Sequence, residues 1–120
     1  MSPVAREVVA RSRPRVSLLD FEPAQVRAFL EDRLRGKGVV EAYLFGSFAE
    51  GRAGPWSDVD LVVVQPTDAP FVERPRGFRD LMDLGVPVDV LVYTPGEFAR
   101  LREERSGFWK EFERTKIRLL

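Results

Sequence analysis

The segment that decides the fold of this chain is YLFGSFAEGRAGPWSDVDLVVV, from Tyr43 to Val64. Two short runs rich in Val, Leu and aromatic residues, 39–45 and 58–64, predict neighbouring β-strands joined by a loop over residues 46–57. Their apolar content places both strands at the centre of a sheet. A Gly-Ser pair ends the first run, and an Asp-x-Asp pair begins the second.

The paired carboxylates predict a metal site. Asp58 and Asp60 lie two residues apart, about 6.6 Å along an extended strand, so their side chains share one face. Two carboxylates about 4 Å apart repel by roughly 4 kcal/mol at an effective dielectric near 20, and a divalent cation removes that repulsion. An isolated Asp-x-Asp pair more often only caps a loop. Here Gly46 and Ser47 precede it and offer N–H groups and a hydroxyl to a phosphate, which favours metal-dependent phosphoryl transfer.

The remaining pattern predicts an α/β mixed (α+β) fold, a small mixed β-sheet flanked by helices. We expect a helix over 22–36, an irregular Pro-bearing connection over 65–76, a short helix over 77–84, a strand over 86–93, a helix capped by Thr94, a helix over 107–114 and an edge strand over 116–120. Residues 1–16, with four arginines, are expected to form a loosely docked arm before a single domain over residues 17–120.

A third aspartate lies in the third predicted strand. Asp89 is the only charged residue in the apolar run 86–93, and it alternates to the face opposite Val88 and Val90. On a strand adjacent to the Asp-x-Asp strand, it is the natural third ligand of a shared Mg²⁺ or Mn²⁺ ion, or the base that accepts a hydroxyl proton.

The composition excludes several classes of function. Because 19 basic and 19 acidic residues cancel, strong nucleic-acid binding through counterion release is not expected. The chain has no cysteine and no histidine, which excludes thiol chemistry, Cys/His zinc sites and an imidazole base. No stretch approaches the ~20 apolar residues that span a bilayer, so we expect a cytoplasmic protein without a membrane partner.

These motifs resemble the minimal nucleotidyltransferases, abbreviated MNT, of the polymerase-β-like nucleotidyltransferase superfamily. That family has an apolar strand, Gly-Ser, a loop, Ser-Asp-x-Asp-Leu on a second strand and a lone Asp on a third, and the resemblance runs from about residue 24 to the end. It implies that the nucleotide's phosphates are bound by Gly46, Ser47, Arg52 and Ser57, and that the catalytic and metal-binding residues are Asp58, Asp60 and Asp89.

The resemblance also implies a partner. Small chains of this family are similar to the antitoxin half of toxin–antitoxin pairs, whose partner is an all-helical HEPN protein. The implied function is Mg²⁺-dependent transfer of AMP from ATP to a hydroxyl of that partner. A chain of 120 residues has no room for a separate acceptor-binding domain, so we expect a homodimer or a heterocomplex.

Two other functions stay open. Family members often carry a basic residue among the four positions after Gly-Ser, whereas this chain has Glu50 there and Arg52 as its first basic residue. The main alternative is therefore a catalytically weak or inactive module that neutralises its partner by contact. Transfer to a small molecule, such as an antibiotic, rests on superfamily analogy alone. Packing against the loop is favoured for Trp56 over nucleobase stacking, and ordinary core packing is favoured for Phe108 and Trp109 over a partner-facing patch.

Overall fold

A computed structural model describes residues 15–120, so the predicted arm over 1–16 lies outside the described residues except for Arg15 and Val16. The helices are α1 (Pro23–Leu34), α2 (Gly46–Ala49), α3 (Pro95–Glu103) and α4 (Gly107–Thr115), and the strands are β1 (Glu41–Phe45), β2 (Val59–Val64), β3 (Val88–Tyr93) and β4 (Ile117–Arg118). Two 3₁₀ segments, Leu18–Asp20 and Phe71–Leu84, complete the set. The mixed α/β fold with a helix-flanked sheet is confirmed.

The sheet is mixed, with strand order β3-β2-β1-β4. Strand β1 runs antiparallel to β2 and to β4, whereas β2 and β3 are parallel. The two strands expected at the centre are central, and the C-terminal strand lies at an edge, as predicted. Both central strands are shorter than expected: β1 begins at Glu41, and Asp58 precedes β2.

Each face of the sheet has its own hydrophobic cluster. On one face, Val59, Leu61 and Val63 of β2 pack with buried residues of α1 and of the 3₁₀ segment Phe71–Leu84. On the other, Val62 and Val64 pack under α3 and α4. This division follows from the alternation of side chains along a strand, and it leaves the Asp60 position on the α3–α4 face.

The α3–α4 face is mostly aromatic. Tyr43 stacks on Phe98 with centroids 5.7 Å apart and meets Phe112 edge-on at 5.6 Å. Trp109 is buried, which confirms its core role, but Phe108 is 45% exposed. The Phe108 ring lies edge-on to Phe45, the last residue of β1, so the exposed end of this cluster adjoins the Gly-Ser pair.

The expectation of an irregular connection up to residue 76 was wrong over residues 71–76. A 3₁₀ segment begins at Phe71 and continues to Leu84, with one non-helical residue, Phe78, between two helical pieces. Pro75 lies inside it. A proline removes only one hydrogen bond from so short a helical piece, which limits its cost there. The second piece matches the helix predicted over 77–84.

A hydrogen-bonded clamp joins this 3₁₀ segment to α3. The predicted capping box is present: the Thr94 hydroxyl accepts from the Glu97 N–H at 3.2 Å, and the Glu97 carboxylate accepts from the Thr94 N–H at 2.8 Å. Arg74 donates to Glu97 at 2.7 Å and to the Val92 carbonyl at 3.0 Å. Since the Arg74 side chain is almost wholly buried, the clamp fixes the C-terminal end of β3, the strand that carries Asp89 near its other end. Across residues 15–120, no helix combines the length and apolarity required to cross a membrane.

Candidate active site

The three predicted aspartates lie near one another at one end of the α3–α4 face. Asp60 on β2 pairs in register with Asp89 on the parallel strand β3, so their side chains are neighbours on the same face. Asp58 precedes β2 by one residue and has the same alternation. On the other side of β2, Asp60 pairs with Phe45 of β1. The aromatic cluster covers the rest of this face, and the carboxylates occupy its open end.

Asp60 is electrostatically the most perturbed of the three. Burial, followed by the neighbouring Asp89 and Asp58 carboxylates, raises the pKa of Asp60 to about 6. Like charges on both sides disfavour ionisation of the central carboxylate. A bound divalent cation reverses that preference, because its charge stabilises all three ionised groups.

The donor set fits a hard divalent cation in its chemistry. All three side chains offer carboxylate oxygens, which suit Mg²⁺ or Mn²⁺. Within residues 15–120, no three Asp, Glu, His or Cys side chains are already gathered into a group that could hold a metal ion. Convergence on one ion therefore requires the outer side chains to rotate, or ligands from outside the protein such as phosphate oxygens. Mg²⁺ characteristically takes only one or two carboxylates and completes its shell with water and substrate phosphates.

Gly46 brings the backbone against the Asp60 carboxylate. Its φ is +78°, in the left-handed region that glycine tolerates. A Cβ at this position would lie 3.3 Å from Asp60 Cγ and would overlap Oδ2. The predicted Gly-Ser turn is the four-residue helix α2, which begins at Gly46. The N–H groups of a first helical turn lack intrahelical partners, so they are available near the carboxylates.

Ser57 folds the loop back onto the Gly-Ser pair. Its hydroxyl accepts a hydrogen bond from the Gly54 N–H at 2.7 Å and one from the Ser47 hydroxyl at 3.3 Å. The loop therefore brings Ser47 and Ser57 together, although they are ten positions apart in sequence. Three of the four predicted phosphate-binding residues, Gly46, Ser47 and Ser57, lie together beside Asp58 and Asp60.

The fourth residue, Arg52, turns toward Glu50, to which its Nη2 donates at 2.5 Å. On the other side of Glu50, Arg114 of α4 donates at 3.1 Å. The hydrogen bonds from Arg52 and Arg114 hold the pKa of Glu50 below its usual value despite desolvation. Glu50 is thus an ionised carboxylate neutralised by two guanidinium groups.

These residues line a cavity of about 300 Å³ between α2 and α4, here called the α2–α4 cleft; its walls include Gly46, Ser47, Glu50, Arg52, Phe108 and Arg114. No sequence pattern points to Arg114, because it lies 64 positions from Glu50 and is one of many arginines on predicted helix surfaces. Only the packing of α4 against α2 reveals it.

A second cavity opens on the Asp58 side of the site. It measures about 400 Å³ and is lined by Trp56, Ser57 and Asp58 together with residues 85–87. Trp56 is 61% exposed, so its expected packing against the loop leaves most of the indole in contact with solvent. Cavities thus flank the carboxylates on two sides.

The residues that match a known family model extend well beyond this site. Residues 24–118 match the nucleotidyltransferase domain, and the chain therefore belongs to the nucleotidyltransferase domain family. This confirms the resemblance at the level of the domain. The search of curated proteins gave no match.

Solved structures with the same fold include chains from toxin–antitoxin complexes. A chain of a toxin–antitoxin crystallised with AMP-PNP is similar at 20% identity and a TM-score of 0.54, over 83% of this chain and 73% of that one. A chain from the complex of a tri-AMPylated Shewanella oneidensis HEPN toxin with MNT antitoxin is similar at 18% identity and a TM-score of 0.55. The likeness covers 82% of this chain and 72% of that one. A candidate nucleotidyltransferase of Sulfolobus solfataricus is similar at 18% identity and a TM-score of 0.54, over 80% of each chain. At these identities the likeness establishes the fold.

Proposed function

We propose that this protein is a Mg²⁺-dependent nucleotidyltransferase that transfers AMP from ATP to a hydroxyl of a HEPN-type partner protein, as the antitoxin of an MNT/HEPN pair. The observation that carries the proposal is the contact between the Gly46 backbone and the Asp60 carboxylate, beside Asp89 and Asp58. It supports the assignment of phosphate binding to the Gly-Ser pair and of cation binding to Asp60, because these two groups lie against each other. We expect the reaction to take place in the cytoplasm.

The reaction balances with the groups present. An oxygen of the acceptor hydroxyl attacks the α-phosphorus of ATP, the bond to the bridging oxygen of the β-phosphate breaks, and pyrophosphate leaves. Gly46, Ser47 and Ser57 hold the phosphates in line for this displacement. Asp89, the most exposed of the three aspartates, takes up the hydroxyl proton or passes it to water.

Asp58, Asp60 and Asp89 are the residues that would hold Mg²⁺. When bound, the ion supplies positive charge that offsets the charge of the α-phosphate and of the leaving pyrophosphate. The raised pKa of Asp60 supports this assignment, because the site concentrates negative charge that the protein itself leaves uncompensated.

The similar structures support the choice of nucleotide and partner. One was crystallised with AMP-PNP, and another contains a HEPN toxin that carries AMP groups. In this proposal, a surface of the partner presents the acceptor hydroxyl to the carboxylates. A heterocomplex with the acceptor, or a homodimer that binds it, meets this requirement.

The test is co-incubation with MgATP and a HEPN-type protein encoded beside it, followed by intact mass measurement of both chains. We expect the partner to gain the mass of one or more AMP units. The double variant Asp58→Asn, Asp60→Asn should lose this modification while it keeps its fold, as judged by circular dichroism. Full modification by a folded double variant would refute the site assignment.

One observation favours a second function, neutralisation by contact alone. Glu50 lies in the phosphate loop, and no metal-binding group is preformed among residues 15–120. A contact inhibitor would neutralise the partner without ATP. The Asp58→Asn, Asp60→Asn variant would then neutralise the partner as well as the wild type does. The same pair of proteins therefore separates the two functions, when partner activity is measured with and without MgATP.

A further inference from the structure

The α2–α4 cleft holds two arginines: Arg52, which belongs to the predicted phosphate-binding set, and Arg114, which does not. Arg52, on the loop after α2, and Arg114, near the end of α4, pair with different carboxylate oxygens of Glu50. The Glu50 side chain is 19% exposed, whereas Arg52 and Arg114 are 65% and 63% exposed. The carboxylate is thus the inner partner of the group, and both guanidinium groups face the opening of the cleft.

Arg114 is oriented by its neighbours but keeps free donors. Its Nε and Nη2 donate to Glu111 one turn earlier, at 2.9 and 2.7 Å, and Nη2 also donates to Glu50. In the described part of the chain, Nη1 makes no hydrogen bond. A guanidinium has five N–H donors in a rigid plane, so it can keep its carboxylate partners and still bind an anion through the remaining ones.

We propose that Arg114, together with Arg52, binds the terminal phosphates of the nucleoside triphosphate, with Glu50 as the residue that positions both guanidinium groups. This inference rests on the proposed function and adds a residue from α4 to its substrate site. It also accounts for the absence of a basic residue among the four positions after Gly46-Ser47: the positive charge comes from further along the chain.

The location supports phosphate rather than base or sugar binding. Gly46 and Ser47 line the same cleft as Arg114, so a phosphate chain bound beside this Gly-Ser pair extends toward the guanidinium groups. In the free protein, Arg52 and Arg114 balance Glu50 and Glu111, so the cleft has no excess charge to attract any anion that approaches. Binding depends instead on the number of phosphate oxygens that reach the free donors.

The test compares affinities for ATP, ADP and AMP by calorimetry in Mg²⁺, for the wild type, Arg114→Gln, Arg114→Lys and Arg52→Gln. We expect Arg114→Gln to weaken ATP binding by about tenfold or more, ADP less, and AMP less than about twofold. Arg114→Lys keeps the charge but not the planar fork, so it should fall between the wild type and Arg114→Gln. If loss of the ion pairs unfolds Arg114→Gln, the comparison is made between the wild type and Arg114→Lys.

Lys110→Gln is the matched control, because it removes an exposed positive charge from the same helix outside the cleft and should leave all three affinities unchanged. An equal loss for ATP, ADP and AMP would assign Arg114 a purely structural role and overturn the inference, as would unchanged ATP binding. If the wild type transfers AMP and Arg114→Gln binds ATP with normal affinity, this inference fails while the proposed function stands. Failure of the wild type to bind ATP would contradict the proposed function as well.

Discussion

Asp60 lies near two other carboxylates, and in the free protein this position disfavours the ionised form of its side chain. The pKa of Asp60 is raised from 3.8 to about 6, first by burial and then by Asp89 and Asp58. A raised carboxyl pKa means that the native state binds the proton more tightly than the unfolded chain. Its stabilising contribution is therefore complete below about pH 4 and is lost as the pH rises through 6.

Replacement of Asp60 with Asn should stabilise the metal-free protein above pH 6 while it abolishes transfer. We expect a gain of about 1–2 kcal/mol at pH 8, after allowance for solvent screening, and a smaller gain at pH 4. Urea unfolding at both pH values in the presence of EDTA measures it. Asp68→Asn, an exposed aspartate in the loop after β2, is the control. A variant less stable than the wild type at pH 8 would show that Asp60 stabilises the fold.

Because Gly46 has no side chain, it allows both a positive φ and the close approach of the Asp60 carboxylate. A second glycine separates these two effects. Gly51 has nearly the same φ, +74°, but a Cβ there would meet nothing within 4 Å. Both Gly46→Ala and Gly51→Ala should lose about 1 kcal/mol from backbone strain. Only Gly46→Ala should push the Asp60 carboxylate aside, so we expect it to weaken MgATP binding at least about tenfold more than Gly51→Ala. Equal affinities for the two variants would remove the contact from the account.

At the scale of elements, the Arg74–Glu97 clamp holds the 3₁₀ segment, the end of β3 and the start of α3 together. The Arg74 hydrogen bonds, followed by that from the Thr94 backbone, lower the pKa of Glu97 to about 2. A lowered carboxyl pKa gives stability that is present above about pH 4.5. That stability is lost as the pH falls toward 2.

We expect Arg74→Met to cost about 2 kcal/mol at pH 7, because it removes a nearly buried guanidinium from a partner that is a third exposed. The cost relative to the wild type should shrink when both are measured at pH 3, where Glu97 loses part of its charge in the variant. Arg79→Met, on the exposed side of the same segment, should change stability by less than about 0.5 kcal/mol. A cost that does not vary with pH would show that Arg74 acts by packing alone.

The elements that the sequence predicted best are those with local signals. Thr94 and Glu97 form the capping box that their spacing predicts, and the valines of β3 share the face expected of them. The 3₁₀ structure over residues 71–76 was missed because a segment with prolines and no apolar period carries no helical signal. Arg114 was missed for a different reason: its contact with Glu50 exists only after α4 packs on the sheet.

At the scale of the whole molecule, the two faces of the sheet have different tasks. The α1 face is an aliphatic core and supplies most of the buried side chains. The α3–α4 face is aromatic over most of its area and ends in Asp60, Asp89 and the α2–α4 cleft. The family match over residues 24–118 takes in both faces of the sheet as well as this site.

The central claim is that the α-phosphate of ATP, and with it AMP, passes to the partner. Two parallel reactions with Mg²⁺ and the HEPN-type protein test it most directly, one with ATP labelled at the α-phosphate and one with ATP labelled at the γ-phosphate. We predict label on the partner from the α position only, with the γ label released in pyrophosphate. With the Asp58→Asn, Asp60→Asn variant, we predict neither label on the partner nor labelled pyrophosphate. Transfer of the γ label, or no transfer of either label to a bound partner, would contradict the account.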